Sequence, residues 1–378
     1  MVTVARSDYG IYRPILKRIE QEPTLELRLI VGGTHLSPEF GLTIGEIESD
    51  GFPVAARVEM LLSSDSPEAV AKSIGLGIIG FAQTFAGSRP DLAMVLGDRF
   101  EMLAAATAAT RLNVPIAHVH GGESTEGLID ESIRHSITKM AHLHFASTDH
   151  YARRIVQMGE EPWRVTVSGA PGLDNIAEFT PPSLSGLNAF GLELSERPLL
   201  VTYHPVTLEF EDTERQVRNL MAALDSVNKE VVFTFPNADT SGRLIIGAIN
   251  DYVAAHHRAC VAAHLGMTGY FGLMANAVAM VGNSSSGIIE AASFGLPVVD
   301  IGNRQRGRTR GRNVINVSYE TADIIDGINR ATAVEFSRRM EGLDNPYGDG
   351  HAAERIVGVL RTVELDKELL FKRFHRYR

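Results

Sequence analysis

Short, continuous apolar runs rich in β-branched residues recur along this chain. A first series comprises Leu25–Val31, Leu92–Gly97, Pro115–Val119, Leu143–Ser147 and Val165–Val167. Longer stretches with helical periodicity lie between them, at Tyr12–Gln21, Glu68–Phe85, Phe100–Leu112 and Ser132–Ala141. A second series follows at Leu199–Tyr203, Val231–Phe235, Cys260–Ala262, Ala277–Val281, Pro297–Ile301 and Val314–Val317. It alternates with helical stretches at Asp212–Asn228, Gly242–His256 and Ser286–Phe294. Apolar strands alternating with helices predict parallel sheets covered on both faces. Val2-Thr3-Val4 reads as the tail of a strand, and Ala5–Gly10 as the loop after it. Strands usually run about five residues, so this one is expected to begin upstream of Met1.

The Pro/Ser-rich stretch Phe179–Ser185 reads as a linker. The expected fold is therefore α/β: two Rossmann-like, doubly wound domains over residues 1–178 and 186–358, with a cleft between them. The final segment, residues 360–378, is expected to be helical from Asp366 and to pack back on the first domain. Its basic residues read as a solvated face.

Composition narrows the partners. The chain has 378 residues, 44% hydrophobic and 22% charged, which is ordinary for soluble globular domains, and two domains are the default at this length. A net charge of −10 argues against nucleic acid or an anionic membrane as the main partner, but leaves room for an anionic small ligand in a local basic pocket. One cysteine, Cys260, excludes an intrachain disulfide and points to a reducing cytoplasm. No uninterrupted apolar run reaches the roughly 18 residues of a membrane span.

The ends of the strands carry the candidate chemistry. Open parallel sheets bind ligands beyond the carboxyl ends of their strands. Asp98 and Arg99 follow one apolar run; His120, Glu123 and Asp130 follow the next. His118 and His120 alternate, so on a strand they would share a face and, with Glu123, resemble a short metal-ligand set. No third histidine lies at ligand spacing. The favoured reading is that Gly121-Gly122 lets the backbone approach a ligand which His120 and Glu123 handle. Asp130, Arg134 and Thr138 share one helix face. Arg6 and Asp8 lie near a helix start that favours anions, or are a surface arginine and an N-cap. His204-Pro205 ends a strand and is either an acid–base group or a capped loop histidine. Gly282-Asn283-Ser284-Ser285-Ser286-Gly287 opens a helix carrying Glu290, and offers backbone N–H groups and hydroxyls to a phosphate. It matches neither G-x-G-x-x-G nor a P-loop, so it points to a nucleotide-diphosphate ligand, not ATP hydrolysis.

The set ARSDYG, GDRFE, HGGE…DESIRHSITK, YHPVT, PNADTSG, GNSSSGIIEA and GLPVVDIGNRQRGR resembles the hydrolysing UDP-N-acetylglucosamine 2-epimerase family, from Arg6 to about Arg310. The resemblance implies a GT-B-like fold, no cofactor and no metal, a UDP-sugar substrate, and a homodimer or homotetramer. The implied reaction removes the C2 proton and expels UDP from C1 to give a 2-acetamidoglucal. Hydration from the other face then yields N-acetylmannosamine. Asp98, Glu123, Asp130, His204 and His120 become the catalytic candidates. Arg6, Asp8, His35, Arg99, Arg134, Asn237, Asn283, Ser284, Ser285, Glu290 and Arg304 become the substrate and UDP contacts. Many members carry glutamate where this chain has His120. A related branch acting on UDP-linked 2,4-diacetamido-2,4,6-trideoxyhexose is therefore the alternative. A GT-B glycosyltransferase and a catalytically silent UDP-sugar binder are the readings from other classes.

Overall fold

The computed structural model describes residues 1–64, 66–124, 129–236, 242–262 and 265–376, with only the backbone of Thr207, Leu208 and Phe210. Two compact units emerge: Met1–Ser124, Ile129–Asn175 and Tyr347–Arg378 form one, and Ile176–Pro346 the other. The Pro/Ser-rich stretch thus lies inside the second unit. Residues 347–358, expected there, belong to the first: Asp174 accepts hydrogen bonds from the Ala352 and Ala353 amides at 2.9 and 2.7 Å. These are the amides a helix start leaves unsatisfied, so Asp174 ties helix Ala352–Thr362 to the first unit.

The first unit contains β1 (Val2–Thr3), β2 (Leu29–Gly32), β3 (Val54–Val58), β4 (Ala93–Leu96), β5 (Ile116–Val119), β6 (Leu143–Ala146) and β7 (Val165–Val167). All ladders are parallel, in the orders β1-β2-β3 and β4-β5-β6-β7. β1 packs against β4, so the strand order reverses direction between them. β2 begins four residues later than its apolar run predicts, and β3 was not anticipated because its burial alternates as an edge strand's does. The stretch read as a loop after β1 is already helical: Tyr9 N–H reaches Ala5 O at 3.1 Å and helix Arg6–Glu20 follows.

The second unit contains β8 (Leu199–Thr202), β9 (Val231–Thr234), β10 (Ala259–Val261), β11 (Ala279–Gly282), β12 (Val298–Ile301) and β13 (Val314–Val317). They form one parallel sheet in the order β10-β9-β8-β11-β12-β13, which reverses between β8 and β11. Its two faces are separately buried. Leu199, Val201, Val231, Phe233, Val281 and Val299 enter one apolar cluster. Leu200, Val232, Met280 and Val298 enter another. Strict alternation between two cores is why these strands read as continuous apolar runs.

The C-terminal segment corrects the helix expected there. Only Lys367–Leu370 is helical. The fully buried Arg164 takes the carbonyls of Glu368, Leu369 and Phe371 at 2.8–3.2 Å, oxygens a continuing helix would use itself. Nor is its basic face wholly solvated. Lys372 donates to the Lys139 and Ala141 carbonyls and pairs with the buried Glu160 at 2.7 Å.

His118 on β5 and His142 just before β6 are buried as neutral rings. Burial pushes His118 down to about 3 and His142 to about 4. Unfolding restores a value near 6.5, so the unfolded chain binds more protons below that pH. The contribution of these two rings is therefore full above about pH 6.5 and falls as pH drops toward 4, by roughly 2 kcal/mol per histidine between pH 6.5 and 5. Urea denaturation of wild type and His142→Gln at pH 7.5 and 5.0 measures this: the variant should lose less stability on acidification, and equal losses would contradict it.

Candidate active site

The residues singled out on the first unit converge beyond β4 and β5. Arg134, 2% exposed on helix Ile129–Met140, is the centre. One Nη pairs with Asp98, and the other donates to the Glu123 carbonyl at 3.1 Å and to Glu131 Oε2 at 3.2 Å. Glu123 Oε1 meets His120 Nδ1 at 2.6 Å and accepts from Ser147 Oγ at 2.7 Å. Asp98, Arg134, Glu123 and His120 thus form one continuous polar chain, largely shielded from water. Asp130 lies half-buried on the same helix, within electrostatic range of Arg99.

His118 and His120 do not share a face. β5 ends at Val119, and His120 takes a left-handed backbone with φ 62°. His118 stays on the strand, its Nε2 2.8 Å from Gly97 O and its Nδ1 3.2 Å from Thr138 Oγ1. It braces the end of β4 against the helix and is not placed to share a ligand with His120.

At the reversal between β1 and β4, Asp8, Arg99 and Glu101 form a second group. Arg99 donates to Glu101 Oε1 at 3.1 Å, and Glu101 is fully buried. Burial pushes the Asp8 carboxyl up to about 7; Arg99 opposes the shift and Glu101 adds to it. Two expected ligand contacts look elsewhere. His35 is 0% exposed, and both its ring nitrogens are taken, by Thr3 Oγ1 at 2.9 Å and Thr43 Oγ1 at 2.7 Å. Arg6 stands at the surface in an ion pair with Glu46 at 3.1 Å, outside the polar chain.

In the second unit the reversal between β8 and β11 is closed by Asn283. Its Oδ1 accepts the His204 amide at 2.7 Å and its Nδ2 donates to the His204 carbonyl at 2.8 Å. Gly282 makes the approach possible: a Cβ there would lie 1.9 Å from Thr202 O. Arg304 and Gln305 both donate to the Asn283 carbonyl, at 3.1 and 2.8 Å. Burial, then Arg304, pushes His204 down to about 3, so its ring is neutral. Ser284 caps helix Ser285–Ile289, and Glu290 stands where this helix passes into the 3-10 turn Ala291–Phe294. Asn237 lies outside the described residues.

Comparison with known proteins joins these observations. The family model described as UDP-N-acetylglucosamine 2-epimerase matches residues 17–361. The chain belongs to the hydrolysing UDP-N-acetylglucosamine 2-epimerase family. It is similar to the UDP-N,N'-diacetylbacillosamine 2-epimerase (hydrolyzing) of Legionella pneumophila, 38% identical over 98% of this chain and 97% of that one. It is also similar to the GDP/UDP-N,N'-diacetylbacillosamine 2-epimerase (hydrolyzing) of Campylobacter jejuni, 37% identical over 99% and 97%. The crystal structure of UDP-GlcNAc 2-epimerase from Neisseria meningitidis bound to UDP-GlcNAc has the same fold, with a TM-score of 0.80 at 18% identity, covering 95% of this chain and 98% of that one. The chain is thus an enzyme of the hydrolysing UDP-sugar 2-epimerase type, and its two Rossmann-like units are those of the GT-B-like class.

Sequence reasoning missed three members of the epimerase's polar groups. Ser147 ends the β6 run and reads as a small loop residue. Glu101 is hidden by lying inside an alanine-rich helix. Half-buried Tyr270, close to Thr202, Ser284 and Ser286, sits on a helix with no polar pattern. Only the first had a signal, a hydroxyl at a strand's carboxyl end.

The Asn283 clamp makes a prediction. Asn283→Ala removes two buried hydrogen bonds to the His204 backbone and should cost about 2–3 kcal/mol. Thermal unfolding measures the loss; an unchanged melting temperature would show that the clamp contributes nothing.

Proposed function

We propose that this enzyme hydrolyses a UDP-linked 2-acetamido sugar with inversion at C2, releasing UDP and the free 2-epimer. The observation that carries this reading is the shielded chain Asp98–Arg134–Glu123–His120 in a member of this family. The C2 proton is weakly acidic, so its removal needs a positioned acid–base group. The departing UDP gains charge that cations and hydrogen-bond donors must meet. Asp98, Glu123, Asp130 and His120 serve the sugar, with Arg99 beside them. His204, Asn283, Ser284, Ser285, Glu290 and Arg304 serve the nucleotide, with His204 at the leaving phosphate.

The sugar we favour is the UDP-linked 2,4-diacetamido-2,4,6-trideoxyhexose. Two similar relatives are named for it, at 38% and 37% identity. His120, where many members have glutamate, takes one fixed anion from the pocket and better tolerates a second acetamido group. UDP-N-acetylglucosamine, giving N-acetylmannosamine, is the second reading, favoured by the description of the family model. The test is an NMR time course in D2O with each UDP-sugar. Expected are UDP and a free 2-epimer carrying deuterium at C2, faster from the diacetamido sugar. Release of UDP without deuterium at C2, or sugar transfer to an acceptor, would overturn the reading.

We also propose a homo-oligomer, a homodimer or homotetramer, that uses helix Pro67–Ser88. By length and composition this helix is apolar enough to cross a membrane, which the interrupted sequence run had not led us to expect. Ala69, Ser73, Gly77, Phe81 and Phe85 face its own unit. Leu76 and Ile79 are 43% and 58% exposed, beside Gly75 with open space around it. A second copy presenting the same helix would cover this row by two-fold symmetry. Ile79→Asp should halve or quarter the mass seen by light scattering while circular dichroism stays the same. A monomeric wild-type protein would refute the proposal.

A further inference from the structure

His120 has the geometry of an oriented base. Its Nδ1 lies 2.6 Å from Glu123 Oε1. A carboxylate only accepts, so Nδ1 carries a hydrogen, and in the neutral ring the lone pair is then on Nε2. Nε2 is buried and has no hydrogen-bond partner among the described residues. A buried acceptor left unsatisfied in a folded protein calls for a reason, and a ligand proton is one. By contrast, both ring nitrogens of His118 are engaged.

The surroundings hold that arrangement. Ser147 Oγ donates to the same Glu123 oxygen at 2.7 Å, so Oε1 already receives two donors and is poorly placed to take a proton from substrate. Arg134 fixes the Glu123 main chain at 3.1 Å. The His120 amide donates to Phe145 O at 3.0 Å, keeping the residue in register with β6 although its φ is 62°. Such a conformation costs a non-glycine residue roughly 1–3 kcal/mol, and sites of this kind cluster where function demands them. Gly122 (φ 73°) lets the chain fold back: a Cβ there would lie 2.6 Å from Tyr151 O. That reversal brings Glu123 round to His120.

Resting on the epimerase reading above, we propose that His120 Nε2 is the base that removes the C2 proton, and that Glu123 and Ser147 are its positioning residues. The C2–H electron pair becomes the C1=C2 bond. The C1–O pair leaves on the β-phosphate oxygen of UDP, and the proton remains on Nε2. The imidazolium so formed lies against the Glu123 carboxylate, which stabilises it where it arises.

The test separates elimination from hydration. Wild type, His120→Gln, Glu123→Gln and Ser147→Ala are given each UDP-sugar and, separately, the 2-acetamidoglucal. His120→Gln should lower UDP release by about 10³-fold, with UDP affinity by calorimetry unchanged and glycal hydration much less affected. Ser147→Ala should lower kcat at constant KM and enlarge the isotope effect with substrate deuterated at C2, because proton transfer becomes more limiting. UDP release by His120→Gln at the wild-type rate would overturn the assignment, as would equal loss of elimination and hydration. If His120→Gln fails to fold, full kcat in both Glu123→Gln and Ser147→Ala overturns it. A wild-type enzyme that neither releases UDP nor labels C2 instead sinks the epimerase reading itself.

Discussion

A single buried guanidinium organises the polar chain at the strand ends of the first unit. Arg134 cannot remain charged in a water-poor site without carboxylate and carbonyl partners, and it draws Asp98, Glu131 and the Glu123 backbone to itself. Those groups come from the end of β4, from the turn after β5 and from the helix that follows. Remove the cation and Asp98 would keep a half-shielded charge without the partner it has here. The position of Glu123, and through it the direction of the His120 ring, depends on the same contact.

The two units solve one geometric problem in two ways. In each, parallel strands diverge where the order reverses, and polar groups fill the gap at their carboxyl ends. The first unit fills it with charge: Asp8, Arg99 and Glu101 beside β1 and β4. The second fills it with an amide, Asn283, which bridges the ends of β8 and β11 and is itself held by Arg304 and Gln305. The difference suits the proposed division of labour. Proton transfer at a sugar carbon needs groups that change charge. A pyrophosphate needs donors that stay as they are.

Two backbone features of these ends stand out. His120 is held in left-handed backbone, and Gly282 sits where any side chain would strike the Thr202 carbonyl. The ladders themselves are all parallel, with one register shift, between Leu29 and Ile30 where β2 meets β3. Strain beside an otherwise regular scaffold gives His120 its aim, because the neighbouring strands and the Glu123 contact leave the ring little freedom.

The alternation of apolar runs and amphipathic stretches determined by itself the α/β class, the parallel strands and the strand ends where chemistry gathers. Those features follow from local periodicity and from residues a few positions apart. Asp98, His120, Glu123, Arg134, His204 and Asn283 were all legible there. Tertiary structure decided which of them meet and what each side chain does. His118 and His120 stand two residues apart, yet one braces β4 and the other turns away, because β5 ends between them. His35 looked like a ligand contact until two threonines, 32 residues before and 8 after in separation, enclosed it. Ser147 acquires its role only from Glu123, 24 residues earlier in the chain. Helix Ala352–Thr362 joins the first unit because Asp174, 178 residues before Ala352, receives its amides. Pairings over such separations depend on how sheets and helices pack in space, and no local pattern carries that information.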